Sequence, residues 1–416
     1  MSASASVNAA GFQLAEYSAT GLGRAYAGEA AMADNASSQW RNPALLTYLE
    51  GTQVSVGAIY VDPNIDVTGD VTKTLVPRTA SSNDFANSAV IPNFYLSHKY
   101  NDKFALGLAL GTNYGMETNL GDGFAASHFG NEAMIKTMEA NLNAAYQLNE
   151  KISLGAGIRL VHGEGHFGAS MPKALVPTGP TLKYMEGDDL SWGWQVGTVW
   201  QLNEAHRIGF TYKSEVDLSL EGHAEGLAFD PYSPAGPKAQ YNGSMELALP
   251  ATAELASYHQ LTEKLAMHAS INWTDWSSFK QLVAEIPEFG ANSTQMIKEE
   301  NWEDNYRFAL GATYQVDPKL TLRTGVAYDT SAVSDKNRTI TIPETDRTWL
   351  SIGASYEATK QLTLDAGFTY IIAKDASIKE SRGYESDDQA QAIGGQFEGE
   401  VSGSIWLVGV QANYKF

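Results

Sequence analysis

The chain contains no cysteine, which excludes disulfide frameworks, thiolate metal sites and cysteine nucleophiles together. Basic residues are scarce: 28 Lys and Arg stand against 48 Asp and Glu, a formal charge of -20, which argues against a nucleic-acid binder with its basic surface. No run of 18 apolar residues occurs although 43% of the chain is hydrophobic, so membrane-crossing helices are excluded. Membrane-crossing strands are not, because they hide their apolar content in alternation. The opening MSASASVNAAGFQL lacks the basic and apolar regions of a secretion signal. Val7-Asn8-Ala9-Ala10 resembles the small-residue end of one, so residues 1–9 read as a leader remnant or a disordered tail. GxSxG, HExxH, phosphate-loop and dinucleotide motifs are missing, and His98, His128 and His206 lack ligand spacing. The sequence therefore predicts no enzyme, no cofactor and no metal site.

What is present is glycine, 38 residues, tyrosine, 20 residues, and a strict period of two from Thr52 onward. In QLTLDAGFTYII, Leu362, Leu364, Ala366, Phe368 and Tyr370 oppose Thr363, Asp365, Gly367 and Thr369. The last segment, SIWLVGVQANYKF, sets Trp406, Val408, Val410, Ala412, Tyr414 and Phe416 against Leu407, Gly409, Gln411, Asn413 and Lys415. Fourteen such segments are predicted, at 52–61, 90–99, 103–114, 136–148, 151–163, 190–202, 205–218, 241–260, 264–277, 304–316, 319–330, 345–357, 361–373 and 399–416. Connections after even-numbered segments are tight and polar (YNDK, LNEK, LNEAH, LTEK, VDPK, EATK), whereas those after odd-numbered ones, such as 164–189 and 374–398, are long. A soluble sandwich has no reason to keep every second loop short. An outer-membrane barrel does. Tyr60, Tyr95, Tyr212, Trp273, Trp276, Tyr314, Tyr356 and Tyr370 are then candidates for its aromatic girdles.

The fold class expected is all-β, a 14-stranded antiparallel transmembrane β-barrel over residues 51–416. Residues 1–50 carry few large apolar groups and no alternation, so they cannot build a core alone. The interior of a fourteen-stranded barrel is wider than wall side chains can fill. The N-terminal segment is accordingly expected to plug it as a small hatch.

The stretch AGFQLAEYSATGLGRAYAGEAAMADNASSQWRNPALLTYL resembles the hatch of the FadL family, outer-membrane transporters of long-chain fatty acids in Gram-negative bacteria. The likeness continues through NYGMETNL at 113, YKSEVDLSLEG at 212, YRFALGATY at 306 and the block from Leu322 to Tyr356. It implies a localisation in the Gram-negative outer membrane as a multi-pass barrel. It also implies a lateral gate, in which Asn42, Pro43 and Ala44 lie beside an inward kink of the third strand at Gly115. Proline withholds a donor and glycine marks a bulge, which fits a place where the wall is not sealed. For the substrate, the resemblance assigns Lys298 to the carboxylate, Phe12 and Leu14 to the pocket wall, and Ser377 to a polar contact. A second basic residue of the family, an Arg past the fifth strand, is replaced here by Ala169, with His162, His166 and Lys173 nearby. The implied function is passive uptake of fatty acids released sideways into the membrane, with lipid and lipopolysaccharide around a monomeric barrel. Uptake of small aromatic or aliphatic hydrocarbons, or a receptor or structural barrel that transports nothing, remain alternatives.

Overall fold

The computed structural model describes residues 11–381 and 394–416, so the expected leader remnant or tail at 1–9 lies outside the described residues. Fourteen strands form the barrel. They are β1 (Thr52–Thr72), β2 (Ala89–Lys99), β3 (Phe104–Gly111 and Gly115–Asn119), β4 (Glu132–Gln147), β5 (Ile152–Ser170), β6 (Thr181–Asn203) and β7 (His206–Lys213 and Val216–Glu225). Then follow β8 (Tyr241–Leu249 and Thr252–Gln260), β9 (Leu265–Thr274), β10 (Asn305–Gln315), β11 (Leu320–Asp329), β12 (Arg347–Glu357), β13 (Leu362–Ala373) and β14 (Gln396–Lys415). Each pairs antiparallel with its chain neighbours, and β14 closes the ring on β1 from Lys415↔Gln53 to Gln396↔Thr72.

Several strands outrun the segments expected from sequence. β1 continues to Thr72, β6 begins at Thr181 and β7 reaches Glu225, through stretches that read as loops. The reason is an inversion of the alternating pattern. Along the first part of β1 the outer face is Val54, Val56 and Tyr60, and the inner face is Gln53 and Ser55. Beyond Tyr60 the outer face becomes Asp62, Asn64, Asp66 and Asp70, while Val61, Ile65 and Val67 face inward. β14 inverts at the same level: Trp406 and Val408 face out, then Ser402 and Glu400, while Leu407, Ile405, Val401 and Phe397 line the lumen. The rings of Tyr60 and Trp406, 5.3 Å apart, mark the change on neighbouring strands. Apolar surface outside matches a lipid belt, and apolar surface inside makes a greasy sleeve above it.

Residues 11–50 fill the lower lumen with short helical turns at Ala19–Leu22, Glu29–Ala31, Ser38–Arg41 and Pro43–Tyr48. Such turns are too short to be stable alone, so wall contacts hold them. The Ala19 amide donates to Gln411 Oε1 at 3.0 Å, the Ala30 amide to Glu254 Oε1 at 2.9 Å, and Arg307 Nη2 to the Ala25 carbonyl at 2.7 Å. Glycine on the inner face of the wall lets this backbone approach closely. A Cβ at Gly325 would lie 2.1 Å from the Arg24 carbonyl oxygen, and one at Gly155 would lie 2.2 Å from the Ala44 nitrogen.

Two expected girdle residues are corrected. Tyr95 and Trp276 are fully buried inside: the Tyr95 hydroxyl donates to the Tyr17 carbonyl at 2.8 Å, and Trp276 packs on Phe12. Alternation alone does not tell which face of an aromatic-bearing segment looks outward. Tyr60, Tyr314, Tyr356 and Tyr370 do lie on the exposed outer face.

Candidate functional site

The wall breaks locally in β3. Its lower half pairs with β2 from Ala105↔Lys99 to Leu110↔Phe94, and the ladder then stops; higher up the single bridge Ala86↔Thr118 resumes contact. On the other side β3 stays joined to β4, but Gly111 faces Glu139 and Gly115 faces Lys136. Four steps on one strand against three on the other is one inserted residue, a bulge that bends β3. The bend points inward: the Tyr114 hydroxyl crosses to the Pro250 carbonyl on β8 at 2.8 Å. Gly115 therefore begins the resumed half-strand, with the break at Thr112–Tyr114.

The backbone groups that β2 fails to pair are taken by the hatch. Leu14 donates its amide to the Asn113 carbonyl at 2.7 Å, the Gly115 amide donates to the Phe12 carbonyl at 2.8 Å, and Gln13 bridges Tyr114. Beneath the bend the Asn113 amide donates to Glu139 at 2.6 Å, and Glu139 receives Arg159 at 2.8 and 2.9 Å. Arg159 also donates to the Ser214 carbonyl at 2.9 Å. A buried ion pair with its hydrogen bonds satisfied holds a fixed shape, which suits a wall without a ladder.

Asn42, Pro43 and Ala44 do not sit beside this break. Asn42 donates to the Thr198 carbonyl of β6 at 3.2 Å and the Phe210 carbonyl of β7 at 3.4 Å, and accepts from the Ala44 amide at 3.0 Å. Pro43 and Ala44 lie over Gly155 of β5. The residues preceding them, Gln39 and Trp40, are the ones that pack over Gly107 and Gly111 of β3.

Phe12 is buried in an aromatic chamber, its ring 4.7 Å from Trp276, 5.9 Å from Phe279 and Trp302, and 6.1 Å from Tyr114. Leu218, Leu220, Leu247 and Leu249 from the inverted parts of β7 and β8 continue the same apolar cluster. Leu14 points elsewhere, into the cluster with Tyr17, Trp40 and Tyr95. Burying Phe12 is worth about 1.5–3 kcal/mol, so something apolar must replace it if it leaves.

Above the chamber a cavity of about 500 Å³ opens, lined by Phe129, Phe167 and Ile297 together with Lys183, Lys298, Lys336, Arg338 and Lys379. Ser377 lines it too, so two residues far apart in sequence, Lys298 and Ser377, meet there. Lys298 lies on a loop strand, Thr294–Glu299, its Nζ 3.7 Å from Glu300. Glu300 is wholly buried and receives Trp302 Nε1 at 2.9 Å; burial raises its carboxyl above the usual range, offset in part by Lys298 and Trp302. Arg338 is consumed by the structure, donating to Asp335, Ser377, Glu344 and Val333. Sequence reasoning missed it because its partners are mostly backbone carbonyls of a long loop. His162 and His166 face outward, His162 to Asp188 at 3.4 Å and His166 stacked on Tyr184, while Lys173 pairs with Asp122 at 3.0 Å.

A closed fourteen-stranded barrel with an apolar outer belt, an internal hatch and an apolar sleeve leading to a cavity lined by both basic and acidic side chains, among them Glu299, Asp335 and Glu380, is an outer-membrane transport barrel. The sequence model of the family described as "Outer membrane protein transport protein (OMPP1/FadL/TodX)" matches residues 1–416. The chain belongs to this FadL family, whose members move hydrophobic molecules across the outer membrane of Gram-negative bacteria. It is 36% identical to "Outer membrane protein P1" of Haemophilus influenzae over 100% of this chain and 97% of that one. It is 33% identical to "Long-chain fatty acid transport protein" of Escherichia coli strain K12, over 98% of this chain and 94% of that one. In three dimensions it resembles a Pseudomonas aeruginosa FadL homologue, with a TM-score of 0.85 and 24% identity over 98% of this chain and 100% of that one. The Pseudomonas putida toluene transporter TodX shares the fold with a TM-score of 0.68 and 17% identity, over 98% of this chain and 100% of that one.

Proposed function

We propose that the protein takes up long-chain fatty acids passively and releases them sideways through the break in β3. One series of contacts carries this reading. Lys298 faces Glu300, Glu300 holds the Trp302 indole, the Trp302 ring packs on Phe12, and the Phe12 carbonyl accepts from Gly115 at the break. A fatty carboxylate entering the cavity competes with Glu300 for Lys298, since charge-assisted contacts are the strong ones available there. Its tail needs apolar surface, and the chamber filled by Phe12 is the adjoining supply. A tail that displaces Phe12 also breaks the hydrogen bond to Gly115, and the hatch then no longer covers the β3 break.

The names of the curated relatives at 33% and 36% identity fit an outer-membrane carrier of this kind, one of them of fatty acids. No chemistry is done on the substrate; the concentration gradient and capture inside the cell supply the direction. In this reading the barrel works as a monomer. Its acidic outer wall above Tyr60 stands among the lipopolysaccharide head groups.

The test is binding by the purified barrel. Lys298→Ala is expected to weaken a long-chain carboxylate by about 1.5–3 kcal/mol, the scale of a hydrogen bond to a charged group, and a same-length alcohol little. Equal weakening of both would overturn the carboxylate assignment and favour uptake of a neutral hydrocarbon, a reading that the loss of Arg at Ala169 would suit.

A further inference from the structure

His206, which sequence spacing leaves without a ligand partner, meets His259 on the neighbouring strand. The two are 53 residues apart in the chain, yet their Nδ1 atoms stand 2.9 Å from one another. We propose that this pair is a copper site on the outer wall, the ion held by both Nδ1 atoms in place of the hydrogen between them. The fold makes the pair: His206 opens β7 directly after a tight turn, His259 is the last residue but one of β8, and the two are direct cross-strand partners. Residues paired in this way project from the same face of a sheet. That face is the outer one, because the adjacent residues Arg207 and Tyr258 turn into the lumen, where the Arg207 guanidinium lies 4.7 Å from the Tyr48 ring of the hatch and 4.9 Å from the Tyr258 ring. Both histidines are half-buried and stand at the turn end of the wall, within reach of water-borne ions.

A contact this short between two ring nitrogens needs one to donate and the other to accept, so in the neutral pair one ring carries its hydrogen on Nδ1 and the other on Nε2. Moving the first hydrogen to its own Nε2 frees a second Nδ1 lone pair without changing the number of protons bound. A small turn of each ring then aims both lone pairs at one point. Two nitrogens 2.9 Å apart, each about 2.0–2.1 Å from an ion, subtend about 90° at it, the cis angle of a tetragonal centre. A tetrahedral ion such as zinc would push them about 0.4 Å further apart. Tetragonal nitrogen sites suit divalent copper or nickel, and of the two copper binds more tightly. Met267 on β9 pairs directly with His259 on its other side, so a thioether, a donor that copper accepts, flanks the imidazoles. Among the described residues no group of three His, Asp or Glu side chains could hold an ion, so the remaining positions are open to water. The chain has no cysteine to draw copper elsewhere. On the upper wall His162 is turned to Asp188 at 3.4 Å and His223 to Gln240 at 2.9 Å, and neither faces a second imidazole. Held at His206 and His259, the ion ties the foot of β7 to the foot of β8, whose lower halves pair from Lys213↔Thr252 to His206↔His259.

The experiment titrates the full barrel in detergent, first stripped with a chelator, with Cu2+, Ni2+ and Zn2+ in turn, and follows copper by electron paramagnetic resonance. A tetragonal copper spectrum split by two nitrogens is expected, with Cu2+ bound about tenfold or more tighter than Ni2+ or Zn2+. His206→Gln and His259→Gln should each weaken copper about tenfold or more and remove one nitrogen from the splitting. Acidification should release the ion, because protons and metal compete for the same lone pairs. Heat-modifiable migration on gels verifies that each variant is a folded barrel. Copper retained by the double variant at native affinity overturns the proposal. So does loss of copper in His223→Gln with retention in His206→Gln, which would move the ion to the upper wall. Zinc bound as tightly as copper, or a native spectrum without two nitrogens, overturns it as well, because the pair would then be a hydrogen bond and no more.

Discussion

The Gly115 amide donates to the Phe12 carbonyl across 2.8 Å, so the first residue past the wall break and the residue filling the aromatic chamber share one hydrogen bond. Neither can shift far without the other losing a buried partner, at a cost of about 1–3 kcal/mol. Occupation of the chamber and covering of the break are thereby one state of the molecule.

The proposed lateral route depends on the inserted residue in β3. Deleting Asn113 returns the β3–β4 ladder to one residue against one between Gly111↔Glu139 and Gly115↔Lys136. We expect the straightened barrel to bind fatty acid as before and to lose uptake in whole cells. Affinity and uptake are measured in parallel; uptake that survives would place the exit along the barrel axis.

The lipid face makes a second expectation. Leu364 is exposed on the outer face, and Leu364→Arg should cost roughly 2–4 kcal/mol in urea unfolding from liposomes if it sits near the bilayer midplane. Its neighbour Asp365 faces inward, and alternation alone would make Asp365→Asn nearly silent. The structure changes that expectation: Asp365 receives the hydroxyls of Thr20 and Ser355 and the Asn413 amide. Asp365→Asn should therefore loosen the hatch by about 1–3 kcal/mol, read as faster proteolysis of residues 11–50, without changing membrane insertion.

Glu16 makes hatch stability depend on pH. Its side chain is buried, and neither carboxylate oxygen has a partner in hydrogen-bond geometry among the described residues. Burial pushes its pKa from 4.5 up to about 7, opposed in part by the Ala15 and Glu16 amides and Arg307. With the folded value above the unfolded one, the protonated hatch is favoured: its stabilisation is complete below pH 4.5 and is lost as pH rises through about 7. At 1.36 kcal/mol per unit the window holds about 3 kcal/mol. Hydrogen exchange in residues 11–50 should quicken across it in the native protein and stay flat in Glu16→Gln. A flat native profile would contradict the assignment.

Strand number and hairpin parity were legible because the alternation and the tight polar turns are local signals. The upper strands were not, since a stretch such as Asp62–Asp70 inverts which face is greasy, and acidic residues with glycine read as loop. Lys298 and Ser377 were legible as candidates only by likeness; their meeting in one cavity depends on two loops whose folds no periodicity encodes. The hatch step at Asn42 misled in another way. It is rigid, but its rigidity anchors the floor against β5, β6 and β7, and the partners of the β3 break are the plain backbone of Phe12, Gln13 and Leu14.

Above Tyr60, β1 climbs a further dozen residues, roughly 40 Å of strand at about 3.3 Å per residue, or roughly 30 Å of height at a tilt near 40°. That height is comparable to the thickness of a hydrocarbon core, about 30 Å. Under the function proposed above it stands among the sugar and phosphate of the lipopolysaccharide, with the oily surface turned inward. For a greasy molecule the hard part of reaching this bacterium's interior is the hydrated coat, since bilayer oil welcomes it. The inverted upper barrel is thus a chimney: it carries the solvent properties of the membrane outward through that coat, and the journey of the cargo through water ends at the chimney's mouth.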